Sequence, residues 1–186
     1  MKINELDLRK LTLAMENKKL SVAQVIELIE KTNSEPVIDN ADGEIKLTID
    51  YAKTIEQAIA DGRYGWVNSN ITAENFPVSV EMAGKKIEVS AKLFHSNRDI
   101  SSEDAMSKMD KAGYRPATLM ELLVFGFLFP GLQRQFLIVA LGSVWSDAGG
   151  GRRVPYLGVI GSKCKLDLDW FGGDWDARSR FLGVRK

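Results

Sequence analysis

Four aspartates stand close together near the carboxy-terminal end of the sequence, Asp167, Asp169, Asp174 and Asp176. Two carboxylates held a few ångströms apart are what glycoside hydrolysis or a bound cation requires. Asp167 and Asp169 alternate onto one face of a strand, yet Lys165, Arg178 and Arg180 lie close by, so surface ion pairs account for them with less machinery. The other reactive groups are one cysteine, Cys164, and one histidine, His95. A single cysteine forms no internal disulfide, the two residues together cannot complete a Cys/His zinc site, and Cys/His catalysis would require them to meet. His95, between Phe94 and Ser96, reads as a hydrogen-bonded residue at a strand end. SDAGGGRR at 146–153 lacks the GxxxxGK[ST] order of a phosphate loop. DNADGE at 39–44 lacks the spacing and the bidentate Glu of a calcium loop. No catalytic residue, metal or cofactor is expected.

The same region offers contact chemistry instead. Trp145, Trp170 and Trp175 fall among glycines, aspartates and arginines rather than in an apolar run. Aromatic and Arg side chains give large contact area for little entropy lost, and they dominate binding where drier neighbours ring them. Trp170, Phe171, Trp175, Arg178 and Tyr156 supply that chemistry here. Trp145 is expected in the core, and Phe171 with residues 174–179 on the surface, in a loop that Gly172 and Gly173 leave free to turn.

Positioning these side chains falls to a mixed set of elements. Residues 3–33 read as two helices, the second capped by Ser21. Ile45, Leu47 and Ile49 alternate with polar residues as a strand, and Thr54 caps a helix over 55–60. Residues 64–67, 78–82 and 86–94 read as strands, the last two as a hairpin. Ser101 and Ser102 open a helix that Gly113 closes. Thr118 and Glu121 form a T-x-x-E capping box for a helix over 119–129, which Pro130 and Gly131 stop. Short strands follow at 138–141 and 154–157, separated by the flexible loop 146–151. Leu166, Leu168 and Trp170 mark another strand, and Phe181, Leu182 and Val184 with Arg180 and Arg185 a terminal one. Helices and strands segregate along the chain, which argues for an α+β fold.

The 186 residues suffice for one good core, and 25 basic against 25 acidic residues leave no net charge. Long-range attraction to nucleic acid or anionic membrane therefore has little to act through. The longest apolar stretch, 119–132, is interrupted and too short to span a bilayer. The start MKINELDLRKL lacks a signal-peptide apolar core, so a cytoplasmic or phage-associated location is expected.

The segment AGYRPATLMELLVF at 112–125 resembles the Gly-aromatic-Arg-x-Pro/Ala-Thr-x-x-Glu-Leu stretch of the C-type-lectin-like fold in its bacterial form, seen in formylglycine-generating-enzyme-like domains. Gly113, Arg115, Thr118, Glu121, Trp145, Arg180, Val184 and Arg185 carry the likeness over about residues 86–186. Within that fold the sequence from 141 to 186, with GSVW, RVPYL, DWF, DW and RFLGVRK, is most similar to the variable proteins of diversity-generating retroelements. The resemblance implies a C-type-lectin-like domain at 41–186 with short antiparallel strands and two helices, preceded by a helical hairpin at 1–40. It implies a variable ligand-binding face formed by Arg152, Tyr156, Asp169, Phe171, Asp174, Trp175, Asp176, Arg178 and Ser179, held by the scaffold residues Trp145, Arg115, Glu121, Arg180 and Arg185.

Adenine-directed mutagenesis of Asn-type codons yields residues such as Asn, Asp, Ser, Arg, Tyr, Phe, Val, Ile and Cys. Ser146, Asp147, Val159, Ile160 and Cys164 join the face residues as outward candidates of that kind. The implied partner is a protein or other macromolecular ligand, with homo-oligomer formation through residues 1–34 as a further role. The paired cysteines of the formylglycine-generating enzymes are missing, as are the Glu-Pro-Asn, Gln-Pro-Asp and Trp-Asn-Asp segments of calcium-dependent lectins, so neither activity carries over. The alternatives are a small enzyme of this fold with other chemistry, and an assembly protein using its amino-terminal helices.

Overall fold

Along Ile45–Asp50 the alternation buries Ile45, Leu47 and Ile49 and leaves Lys46 and Thr48 in solvent, which makes this segment strand β1. The computed structural model describes residues 43–186. The helical hairpin expected at 1–40, the association role of 1–34 and most of the 39–44 turn lie outside the described residues. After β1 come α1 (Ile55–Gly62), β2 (Trp66–Val67), β3 (Lys86–His95), α2 (Ser102–Lys111), β4 (Tyr114–Pro116), α3 (Leu119–Leu128) and α4 (Pro130–Gln135). The rest is β5 (Leu137–Val139), β6 (Trp145–Ser146), β7 (Arg152–Ile160), β8 (Lys163–Trp170) and β9 (Ser179–Arg185).

The strands form one mixed, mostly antiparallel sheet in the order β1-β3-β9-β5-β7-β8-β2, with β4 also on β9 and β6 on β7. β5 runs parallel to β9, and β2 parallel to β8. The central strands are buried on both faces, so successive residues enter different cores. Leu182 and Val184 of β9 join Ile138 and Leu157 in a core with α1 and α3, whereas Phe181 joins Val139 and Tyr156 in a second core beneath α2. Such strands read as near-continuous apolar runs, and VPYLGV in β7 is one.

Local sequence sets the helix ends. The Thr118 side chain accepts from the Glu121 amide, and the Glu121 carboxylate accepts from the Thr118 amide at 2.7 Å, a complete capping box for α3. That carboxylate is fully buried and also accepts from the two terminal guanidinium nitrogens of Arg115, at 3.0 and 2.6 Å. One side chain thus caps the helix and ties it to β4. Ser101 caps α2 through the Asp104 amide at 3.1 Å.

α3 stops at Leu128, ahead of Pro130 as expected, and Pro130, whose fixed φ suits a first turn, then opens the separate helix α4. Two expected strands need correction. Residues 78–82 form turns closed by Met82 N–H to the Ser79 carbonyl at 2.9 Å, not a hairpin strand. Val78 and Met82 pack half-buried against the first core, but Val80 between them is 93% exposed, and β3 pairs instead with β1 over its first half and with β9 over its second. The strand expected at 64–67 shrinks to its last two residues.

Candidate ligand-binding face

The loop 171–178 joins β8 to β9, and its backbone is held from beneath. Phe171 N–H donates to the Arg152 carbonyl at 2.9 Å, extending the ladder beside β7. Trp175 exchanges two backbone hydrogen bonds with Ile100, at 2.9 and 3.0 Å, just before α2. Its indole N–H donates to the Ser102 hydroxyl at 2.9 Å, and that hydroxyl donates to the Phe171 carbonyl at 2.5 Å. The Trp175 ring stands edge-on to Phe181, with centroids 6.0 Å apart. Asp176 folds the last turn, accepting from the Arg178 amide at 2.9 Å and from its guanidinium at 2.9 and 2.7 Å.

Phe171 and Trp175, each 5% exposed, are core residues and not outward contacts. Tyr156, Ser179 and Cys164 are likewise buried, against the expectation that they face out. For Phe171, Trp175 and Tyr156 the physical reason is shared: the loop closes the second core, and their rings are taken by its apolar neighbours. Arg152, Asp174, Asp176 and Arg178 are exposed, and Asp169 is half-buried. Ser146, Val159 and Ile160 are also exposed, and Asp147 is half-buried. Trp170, half-exposed, lies with its ring 3.4 Å from the Arg153 guanidinium carbon.

Beside the loop lies a cleft of about 460 Å³. Its walls are the end of α4 with Gln133, Arg134 and Phe136, the open ladder of β7 and β8 with Tyr156, Lys165 and Asp169, and the loop with Asp174, Asp176 and Arg178. Trp175 and Ser179 also reach it. Arg152 and Phe171 do not line it; the Arg152 guanidinium lies 4.1 Å over the Phe171 ring and 3.5 Å from Glu103.

Four side chains lock one wall. Lys165 Nζ donates to the Tyr156 hydroxyl at 2.7 Å, and Tyr156 donates to Asp167 Oδ2 at 3.1 Å. Asn68 Nδ2 and the Leu168 amide fill Asp167 Oδ1 at 2.9 and 2.7 Å. Burial pushes the Asp167 carboxyl up, but the hydrogen bonds from Asn68, Leu168, Tyr156 and Lys165 outweigh it and hold the group below its ordinary range. Burial raises the Tyr156 phenol. Burial pulls the Lys165 ammonium down, and its bonds to Tyr156 and Asp167 more than offset that. Asp167 is therefore a fixed anion inside a closed network.

The scaffold residues make ordinary structural contacts. Arg180 lies 4.3 Å over Phe136 and donates to the Ala177 and Ser179 carbonyls, both at 3.0 Å. Arg185 donates to Glu44 at 2.8 Å and to Tyr114 at 3.1 Å. Trp145 is half-buried against the first core and pairs with Arg153 across β6 and β7. Gln133, Arg134, Phe136 and the Asn68–Asp167 pair were not foreseen; the PGLQRQF run at 130–136 carries the one usable signal, a proline placed to start a helix.

Among the described residues no group of three or more His, Cys, Asp or Glu side chains gathers as metal ligands, and no helix is long and apolar enough to cross a membrane. A scan against protein-family models found no match, and neither did comparisons with curated proteins and with solved structures.

Proposed function

We propose that this protein is a ligand-binding variable protein of a diversity-generating retroelement, displaying replaceable side chains on a C-type-lectin-like scaffold to a protein target. One observation carries the reading. The loop 171–178 is fixed from below by Phe171 and Trp175, while Asp174, Asp176 and Arg178 stand in solvent beside a cleft. A backbone anchored by buried aromatics tolerates changes at the exposed positions, because exposed substitutions shift stability by about 0.5 kcal/mol or less.

The fold assignment draws support from the path of the motif residues. Gly113, Arg115, Thr118 and Glu121 lead from α2 through β4 into α3, and RFLGVR forms the last strand, paired on both edges. The gene's neighbourhood tests the function: a reverse transcriptase gene with a near-copy of the 3′ end supports it. A neighbourhood without that near-copy removes diversification and leaves the fold assignment standing.

A further inference from the structure

Gln133 is 1% exposed, lines the cleft, and its Oε1 meets no hydrogen-bond donor among the described residues. A buried acceptor left without a donor destabilises the free protein, which leaves this amide with hydrogen-bonding capacity to spare. Two carboxylates line the same cleft. Asp174 makes no hydrogen bond or ion pair among the described residues, and the Asp169 carboxylate accepts only the neighbouring Trp170 amide at 2.8 Å.

The cations of the cleft are mostly committed: Lys165 to Tyr156 and Asp167, and Arg178 to Asp176 at 2.7 Å. Arg134, at the α4 side, has no ion pair or hydrogen bond from its side chain among the described residues. Besides Arg134, the unmet groups of the cleft are one amide oxygen and two carboxylates, all acceptors.

We infer that the cleft receives an arginine side chain from the target protein. The guanidinium presents five N–H donors in a planar fork, matching a carboxylate in two places while reaching a third acceptor, which an ammonium does less well. The inference rests on the target-binding reading and names the contact that reading leaves open.

The test uses the full chain and two small probes, N-acetylarginine methylamide and N-acetyllysine methylamide, the latter with its side-chain amine free, followed by NMR titration. The arginine probe is expected to shift the Gln133 side-chain amide and the Asp169 and Asp174 signals, and the lysine probe to bind several-fold more weakly. Asp169→Asn with Asp174→Asn should weaken the arginine probe about tenfold. Gln133→Met should weaken it too while leaving the free protein at least as stable, a combination that a purely structural glutamine would not give. Equal response to both probes, no response at these residues, or a Gln133→Met variant that binds normally would overturn the inference. If the arginine probe fails while a diversified near-copy exists, this inference alone falls. Arginine binding without a near-copy supports the cleft and removes only the diversification.

Discussion

The indole N–H of Trp175 and the hydroxyl of Ser102 meet at 2.9 Å, in a contact buried on both sides. The same hydroxyl reaches the Phe171 carbonyl, so one small side chain at the start of α2 serves both anchors of the loop. Ser102→Ala leaves a buried donor and a buried acceptor unmade, at about 1–3 kcal/mol each. Its urea midpoint should drop, and the amides of residues 171–175 should exchange faster. A midpoint equal to that of the wild type would show that the loop is held by something else.

Frame and face separate under substitution. Phe171→Ala empties a packed site and should cost about 3–5 kcal/mol. Replacing Arg152, Asp174 and Arg178 together with alanine should leave the melting temperature within a few degrees, as exposed positions do. Thermal unfolding of the two variants checks this, and a triple variant that melts as early as Phe171→Ala would reverse the assignment.

Tyr64 packs against Gly126 so closely that a Cβ on the glycine would stand 2.5 Å from the tyrosine oxygen, and that buried hydroxyl has no hydrogen-bond partner among the described residues. Gly126→Ala should therefore destabilise by about 1–3 kcal/mol through overpacking. Tyr64→Phe removes the unmet hydroxyl and should raise stability. Combining the two should recover part of the loss in denaturant titrations, since Leu157 Cδ1 would still stand 2.8 Å from the new Cβ; a double variant no more stable than Gly126→Ala would show that the tyrosine oxygen is not what crowds the site.

Asp167 links the cleft wall to pH. Because hydrogen bonds hold its carboxyl below the ordinary range, its stabilising contribution is fully present above about pH 4, the unfolded-chain value. That contribution disappears as pH falls through the folded value. Asp167→Asn should consequently lose stability against the wild type at about pH 6, with the gap narrowing towards about pH 3. A gap that stays constant across that range would mean the carboxylate's charge contributes nothing.

Much of the frame was legible because it depends on local chemistry. The alternation of Ile45, Leu47 and Ile49 and the Thr118–Glu121 box each specify their element within a few residues. The terminal strand was legible too, although its alternating faces enter different cores. The orientation of Phe171 and Trp175 was not, because an aromatic among aspartates and glycines suits an exposed contact or a core plug equally well. Only the arrival of α2, far away in sequence, decides it. The same holds for Gln133, whose burial depends on Pro130 starting a helix where the sequence reads as a stop.

A codon-by-codon comparison of the gene's 3′ end with its near-copy most directly tests whether a fixed frame carries a changeable face. Mismatches should sit at adenines of the near-copy and change Arg152, Asp169, Asp174, Asp176 or Arg178, sparing Trp145, Phe171, Trp175 and Arg180. Mismatches spread evenly over the buried anchors, or unrelated to adenine, would contradict the account.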